Sequence, residues 1–309
     1  MSSEARSLWN ALSGEFSAAC EAVSGGVVAI DSGGRVAASG ICWKDGVVVT
    51  ASHLVRENGE LTVLTGSGAR LKGALAGRDP GRDLAVIHVE DGGSLKPVEL
   101  ADSGALRVGQ WVLAVGRSGR GELAASLGII ARLGGEWSTW RGARLDQLIR
   151  PDVTLYPGQS GSALVTSGGK VAGMNTLALA RSAAITVPAD SVTRVAEELL
   201  VRGYLARPYL GVAAQPVDLP PELRAKLPEA AQGGLLVTHV EPDGPAAQAG
   251  VMLGDVLVRF SGRPVDDIER LHEELSRLRA GAEATLDLVR GGALASVKAK
   301  VGELPPRRR

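Results

Sequence analysis

The chain has 309 residues, and its 34 Lys and Arg are balanced by 34 Asp and Glu. That neutrality argues against a nucleic-acid binder, which needs a cationic face to displace counterions, and 45% apolar residues is too many for a disordered chain. The 41 glycines follow no Gly-x-y period, so this is not collagen; they point to many tight turns between short strands.

The first 25 residues predict an amphipathic helix. Trp9, Leu12, Phe16, Cys20 and Val23 recur at steps of three and four. This stripe is expected to pack on its own domain, to form an oligomer contact or to touch a membrane surface. Glu4, Glu15 and Glu21 interrupt the segment, so it has no signal-peptide core, and no run approaches the length of a membrane span. Cytoplasmic placement is the resulting expectation, with an extracytoplasmic one left open. Cys20 and Cys42 are the only cysteines and make no disulfide framework or metal pattern. A single bond between them is conceivable but has no geometric support.

Residues 26–188 read as short apolar runs between turns. Strands are predicted at Val27–Ile30, Val47–Thr50, Leu61–Leu64, Leu84–Val89 and Trp111–Val115. Turn signals stand at Asp31-Ser-Gly-Gly34, Asn58-Gly59, Asp91-Gly-Gly93 and Ser167-Gly-Gly169. This spacing suggests an all-β barrel or a sandwich pair. A helix capped by Asp190 or Ser191 should follow, carrying Val192, Val195, Leu199 and Leu200 and stopping at Gly203. Residues 203–208 read as a linker. A second unit at 209–303 holds strands at Tyr209–Ala213, Leu235–Val240 and Val256–Phe260, then a helix at Asp266–Leu278. A hairpin around Gly291-Gly292 closes it, and a basic tail fills 304–309. His272-Glu273 opens like a zinc-protease motif, but Ser276 stands where the second His is needed, so no metal site is expected.

Three segments carry chemistry. They are Val47-Val-Val-Thr-Ala-Ser-His53, Arg82-Asp83-Leu-Ala-Val-Ile87 and Pro157-Gly-Gln-Ser160-Gly-Ser-Ala-Leu164. Acyl transfer by a serine needs a neutral imidazole to take the hydroxyl proton and a carboxylate to orient that imidazole. It also needs backbone N–H donors for the oxyanion, hence a tight turn at the nucleophile. Each piece alone is weak: a His at a strand end is usually structural, and an Asp before a strand is usually a cap. Jointly they follow the order His, Asp, Ser of the chymotrypsin type.

These segments resemble the protease domain of the HtrA/Deg family. Val48-Val-Thr-Ala-Ser-His53 is similar to its histidine strand, Asp83-Leu-Ala-Val to its aspartate strand, and Asp152–Leu164 to its serine loop. Gly173-Met-Asn-Thr176 and Ala184-Ile-Thr-Val-Pro188 resemble its later strands. The resemblance implies a mainly β fold, a chymotrypsin-like double six-stranded β-barrel over 26–202. It implies Ser160 as nucleophile, His53 as general base, Asp83 as its orienter, and the N–H groups of Gly158 and Ser160 as the oxyanion hole. Leu155 and Ala178 fall where the family lines its S1 pocket, so a small-to-medium apolar P1 side chain is expected.

Residues 209–303 resemble the family's small α+β PDZ domain through Tyr209-Leu-Gly-Val212, Glu241–Gly250 and Leu253-Gly-Asp255. The resemblance implies capture of peptide C-termini by Tyr209, Leu210, Gly211 and Val212, with Leu271, His272 and Leu275 as the other groove wall. His272 is equally well read as a solvated helix residue. The expected activity is endopeptidase cleavage of unfolded or exposed polypeptide in protein quality control, without cofactor, and often as a homo-trimer. Gln159 and Tyr156 stand where the family usually has Asn, Ser162 where it has Gly, and Ser52 where it has Ala. The competing reading is a non-catalytic peptide-binding scaffold that keeps the barrel and the groove.

Overall fold

The computed structural model describes residues 3–34, 36–56, 60–90, 92–117, 119–139, 143–180, 183–205, 207–225, 227 and 233–304. The Asn58-Gly59 turn, Asp91 and residues 305–309 of the basic tail lie outside them. The chain divides into two units, 1–205 and 206–309.

The first unit opens with α1 (Ser3–Ser24). Its C-terminal half lies on the body of the unit, with Ala19 and Val23 buried. Phe16 meets Trp111 with ring centroids 5.2 Å apart, a tilted geometry that adds to plain area burial. The N-terminal half behaves differently, since Trp9 is 69% exposed. Packing on its own domain therefore accounts for only the later part of the predicted stripe.

Two closed six-stranded barrels follow. The first joins β1 (Val27–Asp31), β2 (Ala38–Lys44), β3 (Val47–Ala51), β4 (Leu61–Leu64), β5 (Arg70–Asp79) and β6 (Leu84–Val89) in the order β1-β2-β3-β6-β5-β4. The second uses β7 (Trp111–Arg117), β8 (Leu123–Gly134), β11 (Leu148–Asp152), β12 (Ala163–Thr166), β13 (Val171–Thr176) and β14 (Ile185–Pro188). A small hairpin of β9 (Trp137–Ser138) and β10 (Arg144–Leu145) precedes β11. Closure leaves no free sheet edge. The continuous apolar runs Val47–Val49 and Val112–Val115 are buried on both strand faces: Val48 and Val112 belong to the separate clusters of the two barrels, while Val47, Val49, Leu113 and Val115 join one cluster drawn from both.

Helix α2 (Ala189–Arg202) buries Val192, Val195 and Leu199 and ends on Gly203 at φ +76°, whose N–H donates to Leu199 O. Its start differs from the expectation. Pro188 is the flanking residue, Asp190 sits in the first turn, and no side chain caps the helix. Ser191 is unavailable as a cap because its hydroxyl donates to Asp146 Oδ2 at 2.7 Å.

The second unit is a small α+β domain. Its sheet runs β16 (Val212–Asp218), β17 (Gly233–Val240), β18 (Val256–Phe260), β20 (Glu283–Arg290) and β21 (Ala293–Lys300), with β19 (Arg263–Pro264) beside β18. Arg207 and Pro208, read as linker, form β15 (Arg207–Tyr209), because that segment pairs with β22 (Gly302–Leu304). Two short helices, α3 (Pro221–Arg224) and α4 (Pro245–Gln248), occupy loops. Helix α5 (Ile268–Ser276) is shorter than the predicted 266–278, since Asp267 caps it by accepting the Arg270 N–H at 2.7 Å. Phe260, Leu235, Leu271, Leu275, Leu286 and Leu288 form the core of this unit. Among the described residues, no helix is long and apolar enough to cross a membrane.

Candidate active site

The barrel order brings His53 and Asp83 together across a 30-residue separation. Strands β3 and β6 are neighbours, with Ala51 opposite Leu84. A single helical turn, Ser52–Leu54, carries His53 off the end of β3. Asp83 precedes β6 at φ +54°, a left-handed conformation that Asp tolerates better than most residues. This bend folds the Asp83 carboxylate back under the helical turn. Its Oδ1 accepts the His53 backbone N–H at 2.9 Å, and its Oδ2 lies 2.8 Å from His53 Nδ1. The Asp83 C=O accepts the Ser52 N–H at 3.1 Å.

Asp83 is fully buried, so its charge depends on these donors. A further donor comes from the second barrel. The Thr176 hydroxyl, at the end of β13, donates to Asp83 Oδ2 at 2.5 Å. Thr176 Oγ1 in turn accepts the Ala178 N–H at 3.0 Å. Thr176 lies within a motif that the sequence singled out, but nothing in its spacing marked it as the partner of the carboxylate.

Ser160 stands in the turn before β12. Residues Tyr156 to Gln159 form the preceding turn, in which the Gln159 N–H donates to Tyr156 O at 2.9 Å. Gln159 also closes the turn from its side chain, since Oε1 accepts the Tyr156 N–H at 2.9 Å. Gln159 is buried and its Nε2 has no partner among the described residues. Gly158 takes φ +86°, and a Cβ there would stand 2.5 Å from Ala37 O. Both facts require glycine. The Gly158 C=O accepts the Ser39 N–H at 2.8 Å, which fixes the next peptide plane. Among the described residues, the N–H groups of Gly158 and Ser160 have no acceptor. Both of these donors belong to the serine turn.

Ser160 is 3% exposed. Its Oγ accepts the Leu177 N–H at 3.2 Å. No hydrogen bond joins it to His53 among the described residues. Leu155 and Ala178, expected in the S1 pocket, are both half-buried, before and after the serine turn along the chain. The two thiols take no part. Both are free, and burial followed by the nearby Asp45 pushes Cys42 up to about 11, so it is inert as a nucleophile.

In the second unit, Tyr209 ends β15 and Val212 starts β16, so Leu210 and Gly211 form the connecting loop. Gly211 takes φ +77°. The Leu210 and Gly211 carbonyls accept from Ala246 and Glu241 at 2.8 Å each, while their N–H groups have no acceptor among the described residues. Successive free N–H groups around a left-handed residue make an anion-binding concavity. Leu271 and Leu275 are buried in the core of this unit, and His272 is exposed.

The family models agree with this division. A trypsin-like peptidase domain matches residues 38–174 and a PDZ domain matches residues 208–301. A serine protease Do-like HtrA of Lactobacillus helveticus is 30% identical over 313 residues, covering 97% of this chain and 75% of that protein. The chain belongs to the HtrA serine protease family. A probable periplasmic serine endoprotease DegP-like from Pseudomonas putida is 33% identical over 272 residues, covering 86% of this chain and 55% of that protein. The chain therefore spans about half the length of such DegP-like relatives. Among solved HtrA structures, the HtrA-type protease AlgW with tripeptide has a TM-score of 0.69 at 26% identity, covering 93% of this chain and 97% of that one.

Proposed function

We propose that this HtrA-family chain is a serine endopeptidase that cleaves unfolded or exposed polypeptide through an acyl-enzyme. The observation that carries the reading is the doubly held histidine. Asp83 binds both the backbone and Nδ1 of His53, which leaves Nε2 as the free nitrogen that can take a proton. In this mechanism Ser160 Oγ exchanges its contact with the Leu177 N–H for one with His53 Nε2 as substrate enters. Oγ then attacks the scissile carbonyl while Nε2 takes its proton. The Gly158 and Ser160 N–H groups receive the oxyanion. Protonated His53 gives its proton to the leaving amine, and a water deprotonated by His53 releases the acyl group. Leu155 and Ala178 suit a small-to-medium apolar P1 residue.

The test is fluorophosphonate labelling and casein cleavage. The wild type should do both, and Ser160→Ala neither. A wild type that neither labels nor cleaves overturns the reading. A second reading, a peptide-binding scaffold without catalysis, is favoured by one observation: Ser160 Oγ rests on Leu177 rather than on His53. Resting-state geometry of this kind is common where the catalytic bond tightens only with substrate. Labelling with and without an added peptide separates the two.

The free N–H groups at Leu210 and Gly211 support a site for peptide C-terminal carboxylates in the PDZ domain, with Tyr209 and Val212 flanking them and α5 opposite. The relatives named periplasmic favour an extracytoplasmic placement over the cytoplasmic reading of the N-terminus, and membership of the HtrA family favours a quality-control role. Cell fractionation tests the first. The exposed N-terminal half of α1 suits a trimer contact, which sedimentation would test.

A further inference from the structure

We propose that Pro216 ends the peptide-docking edge of the PDZ domain after two backbone rungs, so that this domain reads only about the last three residues of a polypeptide. The inference rests on the C-terminal capture proposed above and concerns how much of the captured chain is read.

Strand β16 is the first strand of its sheet, so one of its edges is unpaired among the described residues. Which groups face that edge follows from the register. Ala214 lies opposite Val237. The Val237 N–H donates to Asp255 O at 2.8 Å, and its C=O accepts the Gly254 N–H at 3.0 Å. Both polar groups of Val237 are therefore spent on the side away from β16. In an antiparallel pair, opposed residues either exchange both hydrogen bonds or neither. Ala214 consequently turns its N–H and C=O to the open edge. The register is regular from Ala214 to Asp218, and the extra residue of the bulge, Thr238, lies on β17. The two-residue period then assigns Val212 and Pro216 to the same open edge.

An added strand entering with its carboxylate at Leu210 and Gly211 meets Val212 first, Ala214 next and Pro216 third. Val212 offers its C=O to the N–H of the last peptide residue. Ala214 offers both N–H and C=O to the third residue from the end. At Pro216 only the C=O remains on the open edge; the donor is missing, and the ring carbon on its nitrogen stands where a hydrogen would be, in the way of an approaching strand. A carbonyl arriving there loses its bond to water and gains none. Proline is tolerated in β16 for the same reason, since its nitrogen faces away from β17.

The experiment is calorimetry on the full chain carrying Ser160→Ala, which prevents cleavage. The probes are free-acid peptides of three, five and seven residues, all ending in Ala-Leu-Val and extended with Ser and Thr. In the Pro216-containing chain, lengthening from three to seven residues should change Kd by less than about twofold. In Pro216→Ala, the seven-residue peptide should tighten by roughly two- to tenfold, the worth of one net backbone hydrogen bond, and the three-residue peptide should not. Pro216→Val serves as the second variant and should behave alike. A seven-residue peptide that already binds more than about twofold tighter than the three-residue one with Pro216 present overturns the proposal. So does a length effect that neither variant alters. Equal binding of free-acid and amidated tripeptides, or no binding by any peptide, overturns C-terminal capture itself, and this proposal with it.

Discussion

The Thr176 hydroxyl offers the sharpest test of how the proposed catalytic carboxylate is held. Thr176→Val keeps the shape of the side chain and removes the donor to Asp83 Oδ2. The carboxylate is fully buried, and its other described donors, the backbone N–H and Nδ1 of His53, both come from one residue. A hydrogen bond to a buried charged group is worth about 1.5–3 kcal/mol. For a unit of this size that corresponds to a Tm lower by roughly 3–12 °C. The imidazole would keep its partner but lose rigidity. The expected kinetic effect is kcat lower by about tenfold with KM nearly unchanged, because the lost interaction orients a group rather than binding substrate. Thr176→Ser should restore both quantities, since its hydroxyl can donate in the same place. The assays are calorimetric unfolding and steady-state cleavage of a peptide substrate. A valine variant with Tm within about 1 °C of wild type and kcat within about twofold would refute the argument.

Two further outcomes are expected. Gly161 takes φ +92°, and a Cβ there would collide with the Ser39 C=O; Gly161→Ala should lower the rate of fluorophosphonate labelling at least about tenfold through a displaced serine turn. In the PDZ domain, the Arg290 guanidinium, held at 2.7 and 2.8 Å, keeps the Asp255 carboxyl below its usual range, against the opposing effect of burial and with help from the Met252 N–H. A depressed carboxylate stabilises the fold at pH values above the ordinary carboxylate value of about 3.9, and this is lost as pH falls through the depressed value. Asp255→Asn should thus unfold more readily than wild type in urea at neutral pH, and the gap should close in acid; a gap independent of pH contradicts the assignment.

The parts of this protein legible in its sequence are those encoded by local contrast. Strands β1, β3, β4 and β6 are short apolar runs bounded by turn residues, and their burial follows directly. Strands β5 and β8 are longer and were not legible, because few of their residues are fully buried and the runs Arg70–Asp79 and Leu123–Gly134 show little apolar–polar alternation in residue type. The order His53, Asp83, Ser160 stands out in the sequence because three residue types at three strand edges are jointly improbable. What that order could not contain is geometry between barrels. Thr176 is bound to Asp83 across 93 residues, and its hydroxyl looks no different in sequence from the other threonines. The resting contact of Ser160 is less visible still, since its partner is the backbone N–H of Leu177 and a backbone donor has no residue type. The same holds for Pro216. Its effect depends on which edge its nitrogen faces, and the pairing of Ala214 with Val237, whose polar groups are spent on the far side, sets that direction. The proposed function is thus announced by side chains, while the proposed limit on peptide length and the resting contact of Ser160 depend on main-chain groups, which a residue pattern does not record.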